Sequence, residues 1–375
     1  MKKTRINVYK IASTLIIIVL SFLILYYTQG IVVPICFGIF FAFMLKPLAS
    51  FFEQHLRYRI LAISVTLLSA LLVLITLISL FVSQIVTIAK DLPMIGESLK
   101  AYLKSVRVWV SNKMDFLPSA EQDALESSLV ELVMSPLSTV TSTILASTSS
   151  MFSFLLVLIY TFFFLLYREP IRLFFVTQFG KETQEQARNF LQGVERIILR
   201  YFYGTAAVIM ILGTLNSIGL YFMGVEYAFF WGFMAAILAV VPYIGTMIGG
   251  FFPFMYTLIT SDTWWQPLGV IILFVIIQAI EGNVITPKIV GSSVKINPLA
   301  AIMGLIIGSS VWGLAGLILA LPGIAILKLV CKQVDFLKPL GLLLSSELYN
   351  KDEKFKEDFN EDRYRFVNLF KSKKI

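Results

Sequence analysis

Apolar runs of about 20 residues, the length that crosses the hydrocarbon core of a bilayer as a helix, recur along this chain from Ile11 almost to its end. Of its 375 residues 58% are hydrophobic and 14% charged, and the mean hydropathy is +0.83. A soluble globular domain carries roughly a quarter charged residues, so the chain reads as an integral membrane protein. The expected fold class is all-α, a polytopic membrane protein with about eight spans. Some spans are short or re-entrant, and an extramembrane helical segment accompanies them. The net charge of +8 would point a soluble chain toward nucleic acid, but here basic residues mark cytoplasmic loops. The lipid bilayer is therefore the expected partner, and nucleic acid is not.

Taken in order, the first span runs from Val8 to Tyr27 and the second from Ile31 to Phe52, with Pro34 in its first turn. Pro47 predicts a kink beside Lys46, whose ammonium is expected to snorkel toward the headgroups. The third helix starts at Ile60 and outruns the bilayer at Ala89. Beyond it Ile88, Leu92, Ile95, Leu99, Tyr102, Val106 and Trp109 share one helix face, and Leu125, Leu129 and Leu132 continue the pattern. That spacing predicts a helical hairpin outside the lipid. A fourth span, Met151 to Tyr167, precedes a polar segment whose second half, Arg188 to Tyr201, reads as an interfacial amphipathic helix. The fifth span is Phe202 to Met223, with Asn216 inside it as interhelical glue; the sixth is Tyr227 to Val241. The chain thus divides into three first spans (1–89), an extramembrane segment with a Ser/Thr-rich linker (90–150), a core with broken helices (151–331) and a charged cytoplasmic tail (332–375).

Two interruptions fall in the last third. The first is Pro242-Tyr-Ile-Gly245-Thr-Met-Ile-Gly249-Gly250, after which Ile244 to Thr260 is short for a span. The second follows the run Pro267 to Ile280, where Glu281, Gly282 and Asn283 lead to Pro287, Gly291 and the Asn297-Pro298 pair. Proline lacks an N–H donor and crowds the preceding turn, so Pro242, Pro287 and Pro298, with Gly245, Gly291 and Asn297, are the expected helix breaks. The run from Leu299 to Val330 is too long for one span and predicts two short helices turning near Trp312-Gly313. With the N-terminus inside, the basic loops at Arg57/Arg59, Arg168 to Arg200 and Lys288/Lys295 are all cytoplasmic, and so is the C-terminus.

The sequence carries no enzyme constellation, no metal-type spacing, no Walker sequence and no cofactor motif. Its one histidine, His55, and its two cysteines, Cys36 and Cys331, have no partners of ligand type. What remains is solute or ion chemistry at broken helices, whose free backbone groups and half-helix ends bind such ligands. Glu281 is the leading candidate. A carboxyl in apolar surroundings favours its neutral form, the property of a proton carrier; the alternative is an interfacial acid paired with Lys288 or Lys295. Gln278, Asn283 and Tyr243 are candidates for hydrogen-bonding a polar solute, or for satisfying backbone freed at a break. By position near the cytoplasmic lysines, Glu281 is a gate or mouth residue more than a mid-bilayer one.

The stretches Pro242-Tyr-Ile-Gly245, Glu281-Gly-Asn-Val-Ile-Thr-Pro-Lys-Ile-Val-Gly291, Ile296-Asn-Pro-Leu299 and Gly308-Ser-Ser-Val-Trp-Gly313 through Leu321-Pro322 resemble the autoinducer-2 exporter family of PerM-type permeases. Thr246 stands where members of that family often have proline. The resemblance implies a multi-span, homo-oligomeric transporter of the bacterial inner membrane. Its expected substrate is a small polar solute such as autoinducer-2, or a sodium or other cation exchanged for protons through Glu281. A membrane scaffold recruiting partners through 90–135 is the reading from a different class.

Overall fold

The computed structural model describes residues 8–111, 148–178, 180, 183–240, 244–261, 263–289, 296–334 and 337–346. The described chain is helical throughout, with one isolated antiparallel bridge between Ile296 and Ser345. In order the helices are α1 (Val8–Tyr27), α2 (Gln29–His55), α3 (Arg59–Ser111), α4 (Thr148–Leu166), α5 (Arg168–Thr177), α6 (Gln184–Phe222), α7 (Ala228–Leu238), α8 (Ile244–Thr260), α9 (Trp265–Ile280), α10 (Thr286–Ile289), α11 (Pro298–Gln333) and α12 (Lys338–Leu343). A π-helical turn, Glu281–Ile285, joins α9 to α10. Among the described residues five helices are long and apolar enough to cross a membrane, or six if α4 and α5, bent by 67°, count as one span. The all-α, polytopic expectation stands.

The described residues group into two units. One draws on Met1–Leu67, Ser153–Thr205 and Pro287–Ile375, the other on Leu68–Phe152 and Ala206–Thr286. In the first, Ala42, Ala49, Ile63 and Leu165 form one buried cluster, and Phe40, Ile198 and Leu319 another. Polar side chains tie the same helices together. Arg168 donates to Glu53 at 2.5 Å, and Arg59 donates to the Leu165 carbonyl at 3.1 Å. The Lys46 Nζ donates to Glu195 on a neighbouring helix at 2.5 Å. The helix runs unbroken past Pro47 to His55.

The interfacial helix expected at Arg188 to Tyr201 is not a separate element. Gln184–Phe222 is one helix of 39 residues. Its apolar face meets protein: Ile198 is buried with Phe40 and Leu319, and the Tyr201 hydroxyl points at the Ile318 carbonyl, 3.4 Å away. Amphipathicity marks a face to be covered and does not name the cover. The third helix does outrun the bilayer, reaching Ser111; Leu125, Leu129 and Leu132 lie outside the described residues.

α11 contains the expected turn. Trp312 (φ −129°, ψ 16°) and Gly313 (φ 58°, ψ −135°) leave helical geometry. A Cβ on Gly308 would lie 2.5 Å from the Gly316 carbonyl oxygen, and one on Gly304 would overlap Ile324. Those pairs straddle 312–313, so the two limbs run antiparallel as a hairpin. Gly313 allows it, because its φ lies where L side chains are strained. The Trp312 indole donates to the Leu25 carbonyl at 2.9 Å and pins the tip. Part of the tail is ordered on this hairpin, since α12 buries Pro339 and Gly341, the latter against Cys331.

In the second unit α7 and α8 form another hairpin. Near its tip a Cβ on Gly245 would overlap the Leu238 carbonyl, and one on Gly249 would lie 2.8 Å from Ala235 Cα. Further down, Trp231 stacks on Phe252 at 6.5 Å, and the Tyr256 hydroxyl donates to Glu226 at 2.8 Å. With 11 residues, α7 rises about 16 Å, half the hydrocarbon thickness. α7 is too short to cross by itself, and α8, with 17 residues, is short for a span. Asn216 is buried as expected, yet its Oδ1 has no hydrogen-bond partner among the described residues. Beside it Ser217 makes the inter-helix bond, to the Phe229 carbonyl at 3.4 Å.

Candidate functional site

In the second unit the start of α8, which follows the first interruption, packs beside the end of α9, which leads into the second. α8 begins at Ile244, and the neighbouring α9 runs antiparallel to it, with Gly250 packed on the Phe274 ring. This direction puts Thr246, at the start of α8, level with Gln278, near the end of α9. Between the helices lies an open groove of about 490 Å³ whose walls include Gly250, Phe251, Phe254 and Phe274. Thr246 and Gln278 are its polar linings. The groove is otherwise apolar.

Glu281 stands one turn beyond Gln278. Gln278 Nε2 donates to Glu281 Oε2 at 2.8 Å, and Thr286 Oγ1 donates to Glu281 Oε1. The second bond depends on the π turn. Residues five apart on an α-helix point about 140° away from each other. Across Glu281–Ile285 the Thr286 N–H instead bonds the Glu281 carbonyl, and the widened turn stacks the two residues. Isolated π turns of this kind gather at functional sites. Glu281 is half-buried, and the described ion pairs do not include it.

Helical backbone therefore continues from Trp265 to Ile289, and the departure from α geometry comes at Glu281–Ile285, ahead of Pro287. The expected break at Pro287 is a correction in kind. Pro287 lies inside this continuous run, second in α10, and leaves an upstream carbonyl without its helical donor just where the turn has widened. Asn297 and Pro298 do mark a terminus: the Asn297 side chain accepts from the Leu299 N–H at 3.0 Å, with Pro298 at the first helical position. Asn283 serves backbone, its Nδ2 donating to the Ala279 carbonyl at 2.8 Å. Gly245 is a close-approach residue at the hairpin tip. Tyr243, Pro242, Gly291 and Lys295 lie outside the described residues.

Sequence reasoning missed Thr286 and the groove phenylalanines. Thr286 is five residues from Glu281, a spacing that pairs side chains only on a π turn. The phenylalanines followed ordinary helical periodicity and carried no mark separating a groove wall from a lipid-facing surface. Among the described residues no group of three His, Cys, Asp or Glu is placed to hold a metal ion.

Residues 15–335 match the AI-2E family transporter profile. The chain belongs to the AI-2E transporter family. Among its relatives, the AI-2 transport protein TqsA of Escherichia coli is 23% identical over 85% of this chain and 90% of TqsA. The putative transport protein YhhT of Escherichia coli is 22% identical over 84% of this chain and 88% of YhhT. The putative transport protein YrrI of Bacillus subtilis is 31% identical, in a match that spans 42% of this chain and 44% of YrrI. This AI-2E family member is thus a multi-pass membrane transporter.

Proposed function

We propose that this transporter is an exporter or permease of a small polar solute in the bacterial inner membrane, with both termini cytoplasmic and the chain assembled as a homo-oligomer. AI-2 is the solute named for its relative TqsA, and it is the first to test here. One observation carries the reading. The start of α8, just after the first interruption, and the end of α9, just before the second, line the polar end of one groove through Thr246 and Gln278, and Gln278 is hydrogen-bonded to Glu281 one turn beyond. Polar side chains at an unwound or widened helix are costly in lipid unless they serve a pathway.

The experiment is flux of labelled AI-2 in proteoliposomes. Glu281→Gln keeps the shape and removes the charge, and it is expected to slow flux about tenfold, the equivalent of ~1.4 kcal/mol. Unchanged flux removes Glu281 from the pathway. Absence of AI-2 flux, together with proton-coupled sodium flux that Glu281→Gln abolishes, replaces the permease with an antiporter. No flux of any solute, with partner capture through 90–135, leaves the scaffold.

A further inference from the structure

The short helix α5 turns its polar side to protein and its apolar side away from it. Along Arg168–Thr177 helical spacing sets Arg168, Glu169 and Arg172 on one side and Pro170, Leu173 and Phe174 on the other. Arg168 is held by its bond to Glu53, and Val176, one turn beyond Arg172, is buried. The opposite side is bare: Leu173 is 62% exposed, Phe174 60% and Phe175 50%. Contiguous apolar exposure of this kind marks a surface that something apolar covers.

The cover that fits is lipid. With 19 residues α4 rises about 28 Å, close to the hydrocarbon thickness, so it crosses without help from α5. α5 then begins at the level of the headgroups, and the 67° bend carries it closer to the membrane plane than to the direction of the span. Tyr167 is exposed at the corner, and tyrosine favours that level. The charge around the corner is positive. Arg59 and Arg168 share the one carboxylate of Glu53, at 3.5 Å and 2.5 Å, which leaves a positive charge uncancelled. Arg57 is exposed, and the contact of Arg172 with Glu169, at 3.9 Å, is beyond hydrogen-bond reach. Anionic headgroups complement such a cluster.

We propose that α5 is an anchor lying in the surface of an anionic leaflet, with Leu173, Phe174 and Phe175 among the acyl chains and Arg57 and Arg172 at the headgroups. The interfacial role that the sequence suggested for Arg188 to Tyr201 falls on this shorter helix. The anchor goes beyond the solute groove and does not rest on it, since α5 belongs to the first unit and the groove to the second.

The test is spin labelling of the full-length chain in liposomes of mixed phosphatidylglycerol and phosphatidylcholine. Cys36→Ser and Cys331→Ala remove the native thiols, and single cysteines replace residues 169, 172, 173, 174 and 177 in turn. Collisions with oxygen, which concentrates in hydrocarbon, and with a water-soluble nickel chelate then report depth. A label at Phe174→Cys is expected about 5–10 Å below the phosphates, and labels at Glu169→Cys and Arg172→Cys at headgroup level. Depth that changes steadily from 169 to 177 makes α5 the end of a span and overturns the proposal. So does a label at 174 that meets the nickel chelate freely, or one that meets neither reagent because a second copy or another part of the chain covers it. Native mass spectrometry of the same protein tests the headgroups. The double variant Arg57→Gln/Arg172→Gln is expected to lower retention of phosphatidylglycerol relative to phosphatidylcholine about fivefold. An unchanged ratio overturns the anionic contact. Both readouts are independent of AI-2 flux, so the anchor and the permease reading fail separately.

Discussion

In the hairpin of Ala228–Leu238 and Ile244–Thr260 the stem is held by rings, whereas in the hairpin within Pro298–Gln333 it is held by bare backbone and a shaped turn. Both rely on glycine where the limbs come closest: Gly245 and Gly249 in the first, Gly308 and Gly316 in the second. Below the tip they diverge. The first stacks Trp231 on Phe252 and packs it against Tyr256. It opens at Tyr227, a left-handed residue (φ 56°) with no side-chain cap. The second opens at the Asn297 cap with Pro298 behind it and turns at Gly313. Large rings keep limbs apart and leave a shaped flank, which is where α9 lies and where the groove forms. A glycine seam closes the limbs on each other. The difference sets the proposed solute groove on the flank of the ring-held hairpin, whereas the other hairpin is closed on itself.

That assignment breaks or sharpens under four substitutions, each read as a change in unfolding free energy in detergent. Trp231→Ala empties the stem of the first hairpin and is expected to cost about 3–4 kcal/mol, as large-to-small changes of buried aromatics do. Gly316→Leu wedges the second hairpin open at the Gly308 carbonyl, with an expected cost of about 3 kcal/mol. If this variant is as stable as the parent, the glycine seam is not what closes the limbs. Gly313→Ala meets no neighbour, so its loss, about 2 kcal/mol, measures backbone strain alone. Asn297→Ala removes one cap hydrogen bond and should cost about 1 kcal/mol; Asn297→Asp, which keeps the acceptor, should restore it. A larger loss at Asn297 than at Gly313 would place the stability of this hairpin in its start and not in its turn.

Much of this architecture was legible in the residues. Val8–Tyr27 is one helix over the run that marked it, and the turn at Trp312-Gly313 lies where glycine and the excess length placed it. Gly245 and Asn297 were recognisable as special because small or capping residues there have a local physical role. Arg188 to Tyr201 misled because an amphipathic face looks the same whether lipid headgroups or Phe40 and Leu319 cover it. The pairing of Lys46 with Glu195 was not legible because the two are far apart in sequence. Pro287 signalled a departure from α geometry but not its form: the backbone widened upstream at Glu281–Ile285 and carried the helix through.

By itself the sequence determined the class, because lipid demands about 20 apolar residues per crossing and every backbone bond made within the helix. It also marked Glu281 as a residue out of place. Only the tertiary structure decided what surrounds that acid. Which donors reach a carboxylate depends on the pitch of one turn, and which rings stand beside Gln278 depends on the packing of α8 against α9. Neither is a property of a single helix read along its own length.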